Sequence, residues 1–498
     1  MTDMQDPYIL QTQLEAYAAR GLYPFHMPGH KRRMQPAPGL PAGWDVTEVP
    51  GTDDLHDAEG ILLQAMGRTA DLCGADRTWY LVNGSTCGLL AGIRALARRG
   101  SEVLCARNCH KAVYHALELS GYRVRWILPD VDPDWGICGG IRAEQVKAAL
   151  RRHPSVKAVI LTSPTYEGVL SELEEICRNA HARGIPVLVD EAHGAHLIPM
   201  SEKAGFPAGA LACGADLVVQ SPHKTLPSLT QTALLHLQGK LVDPVRIEAE
   251  LDNFETSYPS SPLMASLDGC TGILRTKGAE LFERWSLRLG RFETAIRPLQ
   301  RIRVLYHGHD AENSRRLLTV PGADSDTLLT TYDPGKILID AGPAGMSGRE
   351  LARVLREEWR METEMTRGSL VLAMTSLCDD EDALDRLAQA LLEIDRKAAE
   401  QRKGAMTNDL RADLQRLRPA PACTLAAAAG QEAEMVPLRQ ASGRICAEYL
   451  YFYPPGIPVL APGEIITRSH LDLLACAGKE GAALYRSSGH TGIRCLRE

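Results

Sequence analysis

The chain carries 13 cysteines but no Cys-x-x-Cys pair, Cys105 and Cys109 being the closest two. Structural zinc or a disulfide framework would need tighter spacing or a small secreted chain, so reduced and mostly buried thiols are expected. No apolar run approaches the ~20 residues that span a bilayer. The opening Met1-Thr-Asp-Met-Gln-Asp6 is polar and acidic rather than signal-like, which predicts a cytoplasmic protein. There is no basic stripe or aromatic-basic repeat, and the net charge is -7, which argues against a nucleic-acid partner. Gly-x-x-x-x-Gly-Lys-Ser/Thr is absent, which removes nucleotide P-loops. No internal repeat or low-complexity tract interrupts the chain.

What is present is ordinary in bulk: 498 residues, 45% hydrophobic and 23% charged, enough for about two or three domains. Residues 8–23 predict an amphipathic helix leading to Tyr23-Pro-Phe-His-Met-Pro-Gly-His-Lys31, whose prolines and glycine forbid regular structure. This extended arm continues through Pro36–Trp44 into an acidic loop carrying Glu48, Asp53, Asp54, Asp57 and Glu59. A solvated loop is the ordinary reading of such carboxylates; the functional one is a site for a cationic substrate group.

From residue 60 to about 240 strands and helices alternate. Strands are predicted at 79–82, 103–106, 122–128, 156–161, 185–189 and 216–220, with helices at 60–73, 89–99, 112–120, 143–152 and 171–183. That alternation predicts an α/β fold, a mainly parallel sheet wrapped by helices, in which ligands bind beyond the carboxyl ends of the strands. Downstream, helix 271–297 leads to strands at 336–340 and 369–373 and amphipathic helices at 347–359 and 380–397. One face of the first carries Leu351, Val354, Leu355 and Trp359. The expected organisation is an N-terminal helix and arm (1–60), a large domain (61–290), a small α/β domain (291–400), a polar linker at 396–408 and a C-terminal domain (409–498).

The chemistry gathers at strand ends. Asn83-Gly-Ser-Thr-Cys-Gly88 leaves a strand and opens a helix, where free amides and the hydroxyls of Ser85 and Thr86 suit an anion or merely cap the helix. Asp190 closes the apolar run Ile185-Pro-Val-Leu-Val189, a costly place for a carboxylate without a positive partner. Asp190-Glu-Ala-His193 invites a helicase reading, but that requires the missing P-loop. Asp190, His193 and His196 are too few ligands to argue for a metal. Ser221-Pro-His-Lys-Thr225 follows a third apolar run, and burial would lower the pKa of Lys224 and leave a nucleophilic amine. An isolated lysine there would read as a surface group. A phosphate cradle, a strand-end Asp and a strand-end Lys 34 residues later instead suit pyridoxal 5'-phosphate, with His110 placed to lie over its ring.

Six segments then resemble the Orn/Lys/Arg decarboxylase family of fold-type I pyridoxal-phosphate enzymes. They are Pro24-Phe-His-Met-Pro-Gly-His-Lys31, Asn83–Gly88, Arg107-Asn-Cys-His-Lys111, Val189–His196, Gln220–Pro227 and Tyr453-Pro-Pro-Gly-Ile-Pro458, in the family's order. The resemblance implies that Lys224 bonds the cofactor aldehyde, with Ser221 and His223 on the phosphate side. Ser85, Thr86 and the backbone near Cys87 would cradle the phosphate, and Asp190 would pair with the ring nitrogen. His110 would stack on one ring face, with His193 supporting Asp190 or the other face. It further implies an active site at a dimer interface, reached by the neighbour's Thr256–Ser261 segment with Ser257 as the candidate hydroxyl. Asp53, Asp54 and Glu464 are the expected partners of a distal substrate cation.

The length resembles the short form, without a receiver-like N-terminal domain, so a homodimer or dimer of dimers is expected. The implied reaction is decarboxylation of a basic amino acid, arginine ahead of lysine and ornithine, feeding polyamine metabolism. His223 or Lys224 would return the proton to Cα. Another fold-type I reaction, such as transamination or aldol cleavage, would keep Lys224 and Asp190. A non-catalytic pyridoxal-phosphate-binding regulator would have no need of the lysine.

Overall fold

The computed structural model describes residues 6–21, 27–28, 31, 42–132, 135–305, 316–317, 329–400, 404, 418–452, 456–479, 484–486 and 492–497. Most of the expected arm, Tyr453–Pro455 and residues 401–403 and 405–408 of the expected linker lie outside the described residues. A helix α1 (Ile9–Ala19) opens the fold, turning Leu10, Leu14 and Tyr17 inward. These residues, at helical spacing, pack with Leu62 and Met66 of α2 (Ile61–Cys73) and with Leu267.

Seven strands form the main sheet: β1 (Arg77–Leu81), β2 (Glu102–Ala106), β3 (Arg123–Ile127), β4 (Val156–Thr162), β5 (Val187–Glu191), β6 (Leu217–Gln220) and β7 (Ala233–Leu237). Their order is β1-β7-β6-β5-β4-β2-β3, and only β7 runs against its neighbours. Six strands therefore deliver their carboxyl ends to one edge. Strands β2, β5, β6 and β7 are buried at every position, which is why they read as unbroken apolar runs. Edge strand β3 alternates instead, with Arg123 and Arg125 exposed.

Between and after the strands lie α3 (Gly84–Leu96), α4 (Lys111–Ser120), α5 (Ala143–Arg152), α6 (Leu173–His181), α7 (Pro199–Lys203), α8 (Pro222–Thr225), α9 (Pro244–Phe254) and α10 (Ser261–Ala295). The expected strands and helices of the main domain form, and α7, α8 and α9 are added without sequence-based counterparts. Strand β7 has no sequence-based counterpart. Helix α10 begins ten residues before the expected 271, from Ser261. Helix α3 begins at Gly84 rather than 89, placing Ser85, Thr86 and Cys87 in its first turn. Gly88 permits that start, because a Cβ there would lie 2.6 Å from Leu81 Cδ1 and 3.1 Å from Val219 Cγ1.

The short strands β8 (Arg303–Val304), β9 (Arg316–Leu317) and β10 (Leu329–Thr330) precede β11 (Lys336–Asp340), β12 (Met365–Arg367) and β13 (Leu370–Met374). A four-stranded antiparallel sheet, β12-β13-β11-β8, carries α11 (Gly348–Trp359) and α12 (Ala383–Glu400). Leu351 and Leu355 are buried in a core that continues from the main sheet, with Val354 and Trp359 packed against it. The C-terminal elements build a separate small core around Val436, Cys446, Leu460, Ile466 and Cys495.

A buried polar line crosses the main sheet. His236 on β7 sits with Nδ1 2.8 Å from Thr78 Oγ1 and Nε2 3.0 Å from Gln220 Oε1, and Gln220 Nε2 donates to Glu191 Oε2 at 2.7 Å. Burial pushes His236 down to about 3 and Glu191 up to about 8. An unfolded imidazole binds its proton near pH ~6.5, so below that the unfolded chain holds more protons than the fold and stability falls with pH. Replacing His236 with Gln should remove this contribution. From pH 6.5 to 5 the variant should gain about 1.5 kcal/mol relative to the parent, read from urea unfolding at both pH values. A difference that stays constant with pH would refute the assignment of a buried neutral ring.

Candidate active site

The edge where the six strands end gathers the titratable side chains. Strand β6 stops at Gln220, and Pro222 opens the single-turn helix α8 that carries Lys224. Burial lowers the pKa of the Lys224 ammonium, while the carboxylates of Asp190 and Glu364 oppose the shift. Asp190 is the penultimate residue of β5, opposite Val219 of β6 and Thr162 of β4. Its carboxyl, 3% exposed, is raised by burial and held down by Lys224, and Oδ1 accepts the Ala192 amide at 3.2 Å.

Three imidazoles surround this pair. His110 caps α4, its Nδ1 accepting the Ala112 amide at 3.2 Å, which places the ring proton on Nε2. Burial, reinforced by Lys224, Lys111 and His115, pushes His110 down to about 4. His193 lies with Nδ1 3.0 Å from Lys336 Nζ and its ring 4.7 Å from that of Tyr166. Burial lowers it far below the usual range, helped by Lys336, Lys224, His110 and His223. His223 Nδ1 donates to the Thr232 carbonyl at 2.7 Å, and burial lowers its pKa too. The structure thus brings Asp190, His110, His193 and His223 within electrostatic reach of Lys224.

At the start of α3, Asn83 supplies no side-chain cap; its Nδ2 donates to the Phe254 carbonyl at 3.3 Å instead. The amides of a first helical turn have no intrahelical partners and favour an anion. Buried Glu255, outside the expected site residues, accepts the Thr256 amide on Oε1 at 3.2 Å and leaves Oε2 without a partner, and burial raises its carboxyl pKa. Burial and Glu255 raise Cys87 well above an ordinary thiol, so it is no nucleophile.

The donor set fits pyridoxal phosphate. The hydroxyls of Thr162 and Ser221, at the ends of the strands flanking β5, and of Thr225, closing α8, are buried without a hydrogen-bond partner. Each such orphan costs about 1–3 kcal/mol unless a bound group satisfies it. Asp190, between them, is a buried carboxylate suited to a protonated ring nitrogen. Residues 9–382 match the family model "Orn/Lys/Arg decarboxylase, major domain", and residues 404–482 match that family's C-terminal domain. This chain belongs to the Orn/Lys/Arg decarboxylase family.

Its relatives include an arginine decarboxylase of Bacillus subtilis (strain 168), 34% identical over 473 residues, which cover 93% of this chain and 92% of the relative. A constitutive lysine decarboxylase of Escherichia coli (strain K12) is 27% identical, over 86% of this chain and 69% of its own. The lysine decarboxylase LdcF of Francisella novicida has the same fold, with a TM-score of 0.82 at 18% identity, covering 99% of this chain and 82% of that one. This Orn/Lys/Arg decarboxylase is accordingly a pyridoxal-phosphate-dependent enzyme that decarboxylates a basic amino acid.

Two expected substrate carboxylates have other occupations. Asp53, at φ +67, accepts the amides of Asp54, Glu59, Gly60 and Leu62 at 2.9–3.2 Å. Those amides hold its carboxyl below the usual range against the cost of burial, making it the anchor of the turn into α2 rather than a substrate ligand. Glu464 is 2% exposed and ion-paired with Arg107 of its own chain at 3.2 Å, with Oε2 also accepting the Ala461 amide at 2.9 Å. The cation it was expected to meet is a guanidinium of the protein. Asp54 Oδ1 accepts the His56 amide at 2.9 Å. Ser257 is exposed on the loop before α10, whose Thr256 carbonyl lies 2.9 Å from His56 Nε2.

Lys336 and Glu364 also join the site and were not anticipated. A lysine opening the apolar run Ile337-Leu-Ile339 was the available signal for the first. Glu364 is exposed, takes a hydrogen bond from the Tyr166 hydroxyl and acts electrostatically on both Lys224 and Lys336.

Ser221→Ala should leave apoprotein stability unchanged or slightly raised while weakening cofactor affinity about tenfold, as for one lost hydrogen bond to a charged group. Unfolding curves and cofactor titration read the two effects separately. Glu464→Ala leaves a buried guanidinium unpaired and should destabilise the chain by about 3–5 kcal/mol, measured in urea. Unchanged stability would return Glu464 to the substrate-facing set.

Proposed function

We propose that this enzyme converts arginine to agmatine and CO2, with Lys224 as its covalent cofactor anchor. The reading is carried by Lys224 and Asp190 standing at the ends of adjacent strands β6 and β5, each shifting the other's ionisation. The choice of arginine rests on the Bacillus subtilis relative named an arginine decarboxylase, which matches over nearly the full length of both chains. Bound pyridoxal phosphate supplies the electron sink that accepts the bonding electrons when the carboxylate leaves as CO2.

The protein's part follows from its own groups. Burial favours the neutral amine of Lys224, the form that adds to an aldehyde. Asp190 would keep a proton on the ring nitrogen, and the orphan hydroxyl of Ser221 with the amides of Ser85, Thr86 and Cys87 would hold the phosphate. Neutral His110 would bring no second positive charge to the cofactor ring. Of the two expected proton carriers, Lys224 is the better one. His223 commits its Nδ1 proton to Thr232, and its depressed pKa leaves Nε2 bare. Glu364, rather than Asp53, is the carboxylate available to a substrate cation near Lys224. Exposed Ser257 and Tyr258 support a homodimer, or a dimer of dimers, in which this loop meets the neighbour's phosphate site.

Purified protein with pyridoxal phosphate should release CO2 and agmatine from arginine, and Lys224→Ala should abolish the release. Turnover of lysine or ornithine instead would rename the substrate. Cofactor binding without CO2 from any of the three would overturn the decarboxylase reading.

A further inference from the structure

The turn after β5 faces the turn that enters β11, and two contacts join them. His196 Nε2 lies 3.0 Å from Asp333 Oδ1, both side chains fully buried, and Lys336 Nζ lies 3.0 Å from His193 Nδ1. The second contact is tightly framed. Lys336 is 1% exposed, and its main-chain amide donates to the Asp333 carbonyl at 3.1 Å. Gly168, at φ +111, lies against its stem so closely that a Cβ there would be 2.8 Å from Lys336 Cγ. The ring of Tyr166 packs edge-on against His193, and its hydroxyl is tied to Glu364.

An ammonium group has three donors and no acceptor. An imidazole nitrogen 3.0 Å from one must therefore be the bare nitrogen, with the ring proton on the other side. We propose that Lys336 is a positioning residue of this active site, donating to Nδ1 of His193 and so fixing that ring as the Nε2–H tautomer. The role of the fixed proton rests on the decarboxylase reading, in which His193 faces the cofactor or Asp190; the lock itself does not.

The surrounding charges agree with this assignment. Lys336 is lowered by burial and Lys224 and supported by Asp333, Glu364 and Glu167, to about 8. Burial, and then Lys336, Lys224, His110 and His223, drive His193 far lower, so near pH 7 the lysine holds the proton and the imidazole is neutral. Above about 8 the amine loses its proton, can accept as well as donate, and no longer dictates the tautomer.

Three variants separate donor, charge and stem. Lys336→Met removes donor and charge, Lys336→Gln keeps an N–H donor without charge, and Lys336→Arg keeps both. In apoprotein carrying 15N-labelled histidine, with the His193 signal assigned by His193→Asn, the parent should show bare Nδ1 and protonated Nε2 at pH 7. The Arg variant, which like the ammonium can only donate, should keep that signature and the Met and Gln variants should lose it, with far-UV circular dichroism confirming that each is folded.

In the holoenzyme, Lys336→Met should lower kcat/KM about ten- to hundred-fold, as losing the partner that orients an imidazole does elsewhere. Lys336→Arg, a donor that does not lose its proton in this range, should stay closer to the parent and lack its alkaline fall above pH 8. An unchanged His193 signature in folded Lys336→Met, or a parent ring protonated on Nδ1, would overturn the proposal. Absence of decarboxylation by the parent would sink the functional reading alone, because the tautomer experiment needs neither substrate nor cofactor.

Discussion

The attraction between Asp190 and Lys224 governs how the working edge of the main sheet is built. Either group alone would be driven toward its neutral form by burial. Together they limit each other's shift, Lys224 lowering the Asp190 carboxyl and Asp190 raising the Lys224 amine. The pairing follows from sheet topology. Strands β5 and β6 are adjacent and parallel, with Asp190 opposite Val219, so residues 34 apart in sequence reach the same edge. The orphan hydroxyls of Thr162 and Ser221 flank them because β4 and β6 flank β5.

That edge already carries two lysines, and the histidines around them are kept uncharged. His110, His193 and His223 all have depressed pKa values, with burial the largest cause each time. Each has one ring nitrogen engaged, by the Ala112 amide, by Lys336 or by the Thr232 carbonyl. Neutral, oriented rings give a cofactor pocket defined donors and acceptors without adding positive charge. The buried His236–Gln220–Glu191 line continues this polar order beneath the strand ends.

The C-terminal elements enter the same architecture through Arg107, three residues before His110. Its guanidinium donates to the carbonyls of Pro458 at 2.7 Å and Val459 at 3.3 Å, pairs with Glu464 and meets the Tyr114 hydroxyl. The Lys111 main-chain N–H donates to the Gly456 carbonyl and its Nζ to the Tyr451 hydroxyl, both at 3.0 Å. The segment 456–464 is thus fastened to the loop that carries His110. A buried ion pair of this kind adds little net stability over apolar packing, but it forbids other partners for either charge.

Much of this was legible in the chain alone, because parallel buried strands leave unbroken apolar runs and functional groups must then fall where those runs stop. Lys224 and Asp190, which meet at the sheet edge, were visible by position and by residue type. Glu464 and Asp53 were not, since an acidic residue in a loop looks the same whether it awaits a substrate cation, an arginine 357 residues away or the amides of its own turn. Lys336 was hidden for the same reason: its meaning depends on which imidazole lies 3.0 Å from it, across 143 residues of sequence. Local periodicity and the cost of burying charge determined the sheet and the residues at its edge. Only the tertiary structure decided which charge meets which, because hydrogen bonds and ion pairs are set by distances of a few ångströms that sequence separation does not encode.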